Sequence, residues 1–135
     1  MRMKFFVLFL EASLLAAVTP AMAHHSFTAE FDRNKPITLE GTVTKMEWVN
    51  PHAWLHFDVT NPDGTVTNWA VEMGAPNSLI RRGFTKEYLP IGTKILVQGF
   101  QSKNASFRAN GSSITFADGR KMFVGSPGTG APEGQ

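Results

Sequence analysis

Four histidines in two short clusters, the pair His24-His25 and the spaced His52 and His56, are the side chains of this chain best suited to chemistry, because it has no cysteine and a single tyrosine. Neutral imidazole is a ligand for copper, zinc or nickel. The first cluster gains interest from its position. Met1-Arg2-Met3-Lys4 is a basic start, Phe5 to Val18 is a mostly apolar run interrupted by Glu11, and Ala21-Met22-Ala23 is a small-x-small cleavage site. Removal of residues 1–23 as a signal peptide leaves His24 as the first residue of the mature chain. A terminal histidine chelates copper through its α-amine and Nδ1, and a further histidine completes a roughly T-shaped set of three nitrogens.

His52 and His56 are the candidates for that further ligand. An extended strand separates their α-carbons by roughly 13 Å at about 3.3 Å per residue, so they are alternatives and not joint ligands. Pro51 allows a bend at His52. His56 shares a face with Asp58 and Glu72 in the register derived below, which offers a histidine–carboxylate site of His56 with Glu72. The metal set is therefore His24, His25, His52, His56 and Glu72, with copper as the first expectation and zinc as the alternative. Trp54 and Asp58 on the same outward face are the candidates for a ligand platform, since an exposed indole stacks well.

Catalytic arrangements are poorly represented. Ser26 beside His25 is too close in sequence to form a triad, and no Gly-x-Ser-x-Gly elbow is present. A general acid–base pair of Asp58 and Glu72 lacks two distinct environments, and the glycines of residues 125–130 lie in a Pro-containing tail and not in a phosphate-binding loop. With the signal removed, Arg2, Lys4 and Glu11 go too, which leaves eleven basic and ten acidic residues. That balance, with basic residues scattered along the chain, argues against nucleic acid as a partner. The apolar run is too short and too interrupted for a membrane span, so the expected product is periplasmic or secreted and free of the membrane. Its partners are then a metal ion, a small ligand or another periplasmic protein. Absence of cysteine excludes disulfides and thiolate metal sites.

The elements that must position these residues follow from periodicity. Residues 24–36 form a polar leader, 37–124 one compact domain, and 125–135 a Gly/Pro tail too poor in apolar groups to fold. Ile37 to Trp48 alternates as a strand, with Gly41 where it must bend or bulge. Ala53 to Thr60 puts Ala53, Leu55, Phe57 and Val59 on one face and Trp54, His56, Asp58 and Thr60 on the other. Asn61-Pro62-Asp63-Gly64 fits a type I turn with Gly64 at positive φ as a bulge. Closing that loop with Asn61 opposite Thr65 pairs Phe57 with Trp69 and Leu55 with Val71 on the core side. On the outer side it pairs Trp54 with Glu72, His56 with Ala70 and Asp58 with Asn68.

Pro76 to Gly83 reads as a short helix with proline near its start and glycine past its end, and a further helical turn is expected over 85–88. Strands are expected over 93–100, 112–116 and 121–124, the last two joined about Asp118-Gly119. The result is an all-β chain: a small five-stranded antiparallel barrel of OB-fold type with a short helix between strands 3 and 4. A small antiparallel β-sandwich is the alternative.

His24-His25-Ser26-Phe27, Glu40-Gly41-Thr42-Val43 and Trp48-Val49-Asn50-Pro51-His52 together resemble a family of small secreted bacterial proteins of unknown function. The resemblance covers nearly the whole mature chain and implies export and a small barrel, with no activity attached. From the residues themselves the expected role is a binding module that takes copper or another divalent ion at the N-terminal histidines. The alternatives are a metal-free adaptor using the outer face of strands 2 and 3, and an N-terminal-histidine copper oxidoreductase.

Overall fold

Strand β1, Phe31–Glu47, begins six residues before the alternation starting at Ile37 predicts. The cause is aromatic: Phe27 and Phe31 are both buried, with their rings 5.9 Å apart, and Phe27 sits edge-on to Phe100 at 5.6 Å. Much of the segment expected to be a polar leader is therefore a helical turn, α1 (Phe27–Glu30), followed by the start of a strand. The computed structural model describes residues 26–127 and Pro132. His24, His25, the expected signal and most of the expected tail lie outside the described residues.

The long β1 serves two neighbours. Its first part pairs antiparallel with β4 (Lys94–Ser102), and its second part with β2 (Trp54–Thr60). Gly41 sits at the crossing, where a Cβ would lie 2.4 Å from the Asp58 carbonyl oxygen and 2.6 Å from Phe57 Cδ2. Close approach is thus what this position demands; the bulge itself falls between Val43 and Lys45.

The β2–β3 hairpin has the register expected from its turn. Asn61 N–H donates to the Thr65 carbonyl at 2.8 Å and Gly64 N–H to the Asn61 carbonyl at 2.9 Å, with Gly64 at φ 84°. In β3 (Val66–Glu72) Trp69 faces Phe57, Val71 faces Leu55, Ala70 faces His56 and Glu72 faces Trp54. Helix α2, Pro76–Arg81, and the 3₁₀ turn Lys86–Tyr88 then lead into β4. Strands β5 (Arg108–Phe116) and β6 (Lys121–Phe123) complete the chain.

The expectation of an all-β fold with a short helix between strands 3 and 4 holds, with six strands in place of five. Strand β5 starts four residues earlier than predicted and pairs with two partners. It runs antiparallel to β4, and through Ala70↔Arg108, Val71↔Ala109 and Glu72↔Asn110 it runs parallel to β3. The pairings therefore make a ring, β1–β2–β3–β5–β4 and back to β1, with β6 added outside β5. Leu55, Phe57, Val71, Leu79, Phe84, Val97 and Ile114 fill the ring with no exposed surface. Each such side chain contributes about 1.5–3 kcal/mol by leaving water.

Candidate functional site

Alternation along β2 and β3 sends Trp54, His56, Asp58, Asn68, Ala70 and Glu72 to the outer side of the ring. An outward glutamate should be solvated, yet Glu72 is only 6% exposed. Three neighbours cover it. The parallel pairing with β5 brings Asn110 alongside, its Nδ2 donating to Glu72 Oε1 at 3.4 Å. Trp54 stands opposite on β2. From the segment before β2 comes His52, also buried, with Nδ1 3.8 Å from Glu72 Oε1. Taking a carboxylate and an imidazole out of water is costly unless they are paired and hydrogen-bonded, so the convergence of these groups marks this place.

The tautomer of His52 follows from its partners. Nδ1 lies 3.2 Å from the Met73 carbonyl oxygen, which can only accept, so Nδ1 carries a proton. A backbone carbonyl on one ring nitrogen is the usual way a metal-ligating histidine is oriented through the other. Ser126 adds its Oγ at 3.2 Å from the same Nδ1. Its segment is fixed by Arg82, whose Nη1 donates to the Gly125 carbonyl at 2.8 Å, and by Gly74 N–H donating to the Val124 carbonyl at 2.7 Å. Serine and glutamate thus meet the histidine at one nitrogen, whereas a Ser-His-Glu proton relay uses the two ends of the ring.

His56 has a different partner from the one expected. Its Nε2 donates to Glu47 Oε2 at 2.8 Å, while Lys45 Nζ holds Glu47 Oε1 at 2.9 Å. The expected His56–Glu72 pairing is therefore replaced by His56–Glu47, and Glu72 is joined by His52. The β1 bulge is the reason: past it Glu47 falls opposite Trp54 and Lys45 opposite His56. Asp58 is bound to Asn68, whose Nδ2 donates to Oδ1 at 2.8 Å. Among the described residues no group of three or more His, Asp and Glu side chains is placed to hold a metal ion.

The Lys45 and His56 hydrogen bonds hold the Glu47 carboxyl below the usual carboxylate range. A lowered folded-state pKa contributes stability that is present above the unfolded pKa and lost as pH falls through the folded one. Glu47→Gln is therefore expected to lower the urea midpoint at neutral pH and to leave it unchanged in acid below the carboxylate range. Equal effects at both pH values would show that the charge of Glu47 adds nothing.

Trp54 is half-buried, and its ring is covered by Arg108, with the guanidinium carbon 4.8 Å from the ring centroid. Arg108 Nη2 also lies 3.0 Å from Glu30 Oε1 of α1. Glu30, Glu47, Arg108, Asn110 and Ser126 thus join the site although residue type and spacing do not single them out. Of these only Glu47 leaves a signal in the sequence, as a carboxylate at the end of an alternating strand. The other two tryptophans pack inward, as their type predicts: Trp69 is buried, and Trp48 stacks on Phe84 at 6.4 Å.

No curated protein and no solved structure matches the chain. One family model does match, over residues 12–111, which is most of the chain, and by that match the protein belongs to DUF6152, a family of unknown function.

Proposed function

We propose that the protein is an exported OB-like binding module that holds a divalent metal ion, copper first, between its mature N-terminal histidine and His52. The observation that carries this reading is a continuous path of contacts from the leader to the buried histidine. Phe27 packs on Phe100, Phe100 pairs with Asn110, Asn110 donates to Glu72, and Glu72 stands beside His52. From β4 across β5 to β3 is two strand spacings, about 10 Å. His24 precedes Phe27 by three residues, a reach of about 10 Å when extended. The amine and Nδ1 of His24 with an imidazole nitrogen of His52 would supply three nitrogens. Glu72 lies on the Nδ1 side of His52, so in this reading it orients the imidazole and does not share the ion.

The test is a copper(II) titration by calorimetry of the protein isolated with its native terminus, after intact mass has established a start at His24. One-to-one binding is expected, abolished by His24→Ala and by His52→Ala. Glu72→Gln, which removes a charge 3.8 Å from Nδ1 while the Met73 carbonyl still holds the ring, should weaken it only slightly, and His56→Ala should leave it unchanged. A different mature start, or binding indifferent to His24, overturns the reading.

A second reading is a metal-free module that binds a small ligand or partner on the outer face of β2 and β3. The half-buried Trp54 on the outward face of β2 favours it, because an indole there offers an apolar stacking surface with a polar N–H. Trp54→Ala separates the two, since it should spare copper binding. Oxygen-dependent turnover of a reductant by the copper-loaded protein would make it an N-terminal-histidine oxidoreductase.

A further inference from the structure

We infer that residues 124–126 are a displaceable strap over His52, latched by Arg82, so that access to the buried histidine is governed by a local opening while the ring of strands stays closed. The inference needs no ligand and stands apart from the metal reading above. Direct pairing of β3 with β5 ends at Glu72↔Asn110, and beyond that point Val124 bridges the two sides instead. Its N–H donates to the Ser112 carbonyl at 3.0 Å, and its carbonyl accepts from Gly74 N–H at 2.7 Å. Ser126 then lies across the histidine, with Oγ 3.2 Å from His52 Nδ1 and donating to the Met73 carbonyl at 3.3 Å. From the end of α2, Arg82 Nη1 donates to the Gly125 carbonyl at 2.8 Å.

The strap has little of itself in the core. Of residues 121–126, Val124 is the buried one, while Lys121 and Phe123 of β6 are exposed. A ring strand such as β2 buries Leu55, Phe57 and Val59 together. Opening 121–126 therefore gives up one apolar side chain and a few hydrogen bonds. It leaves Ala70, Val71 and Glu72 paired with Arg108, Ala109 and Asn110, so the ring stays shut. Segments with so few buried contacts open locally, well below the cost of unfolding the whole. The latch is at the surface: Arg82 is exposed, so water competes for its bond to Gly125. Beneath the strap the histidine is 6% exposed, and lifting Ser126 removes a group that lies directly on its ring nitrogen.

The experiment follows amide hydrogen exchange, and acylation of His52 by diethyl pyrocarbonate located by fragment mass spectrometry, across a series of urea concentrations. In the unaltered protein Val124 N–H is expected to exchange through an opening that depends weakly on urea, because it exposes little surface. Ala53 N–H, which donates to the Gly74 carbonyl, should need full unfolding and show a steep dependence. His52 acylation should follow Val124 and not Ala53. Arg82→Ala is expected to speed both Val124 exchange and His52 acylation about fivefold, the effect of one lost hydrogen bond, with His56 acylation unchanged. Gly74→Ala loosens the strap from its other side, since the added Cβ would lie 3.0 Å from the Gly125 carbonyl oxygen, and should act in the same direction without touching Arg82. His52 acylation as steep in urea as Ala53 exchange would show that only unfolding reaches the histidine, and the strap falls. Faster Val124 exchange with unchanged His52 acylation overturns the covering role, and Arg82→Ala without effect on either overturns the latch.

Discussion

Replacing Gly99 with alanine is expected to destabilise the protein by about 3 kcal/mol, the upper range for overpacking a closed interior. A Cβ at this position would lie 2.2 Å from the Asn110 carbonyl oxygen, 3.0 Å from its carbon and 3.1 Å from Gly111 Cα. All three are backbone atoms, so no side chain can rotate away. The clash falls at the register shift between β4 and β5 and pushes on the residue whose amide bonds to Glu72. Gly119→Ala is the control: it sits at φ 86° with nothing within 4 Å of the added carbon, so it carries only the left-handed strain of about 1 kcal/mol. Urea unfolding of both variants decides the matter. Equal losses would mean that β4 and β5 do not approach so closely.

Phe27→Ala is the second large effect, and it acts on stability and on the proposed site together. Phe27 is 2% exposed, held between Phe31 and Phe100. Truncating a buried phenylalanine costs about 3–5 kcal/mol when the surroundings cannot collapse. Here α1 can instead come away from β4 and return its polar groups to water, which limits the loss to about 3 kcal/mol, the lower end of that range. On the proposed metal reading the same detachment would carry the N-terminal histidine away from His52, so copper binding should weaken sharply. Calorimetric titration beside urea unfolding checks both halves. Retained copper affinity in a destabilised Phe27→Ala protein would separate the leader from the site.

The hairpin of β2 and β3 is legible in the sequence because two independent signals agree there: strict alternation on both strands and a turn whose proline and glycine allow one closure. Those two signals fix the pairings residue by residue, and they place Trp54, His56, Asp58 and Glu72 on one face. The partner of His56 is hidden by a single irregularity. Val43 points into the core, and simple parity would send Glu47 the same way, but the bulge between Val43 and Lys45 turns Glu47 outward. Composition hides the start of β5. Arg108, Asn110 and Gly111 read as loop, although Asn110 is buried, because the interior contacts there are made by a hydrogen bond and by a glycine that lets Val71 approach.

The leader misleads for the opposite reason. Its charges, Glu30, Asp32, Arg33 and Lys35, outnumber its two buried phenylalanines, and periodicity weighs residues by number where packing weighs them by area. For the site, residue type finds the histidines, but only the parallel pairing of β3 with β5 brings Asn110 to Glu72. No local pattern announces a contact made across 38 residues.

That parallel pairing also sets a timetable for assembly. Residues Ala70 to Glu72 meet Arg108 to Asn110, so a chain emerging from its amino end has β1, β2 and β3 in hand long before the strand that closes the circle. Until then β3 presents an open edge of the kind that recruits foreign strands. Contacts so distant in sequence form slowly, and Glu72 stays in water until they do. Burial of the carboxylate beside His52 therefore waits on β5, and a chain shortened before Arg108 would retain the histidines and lack the environment that distinguishes one of them.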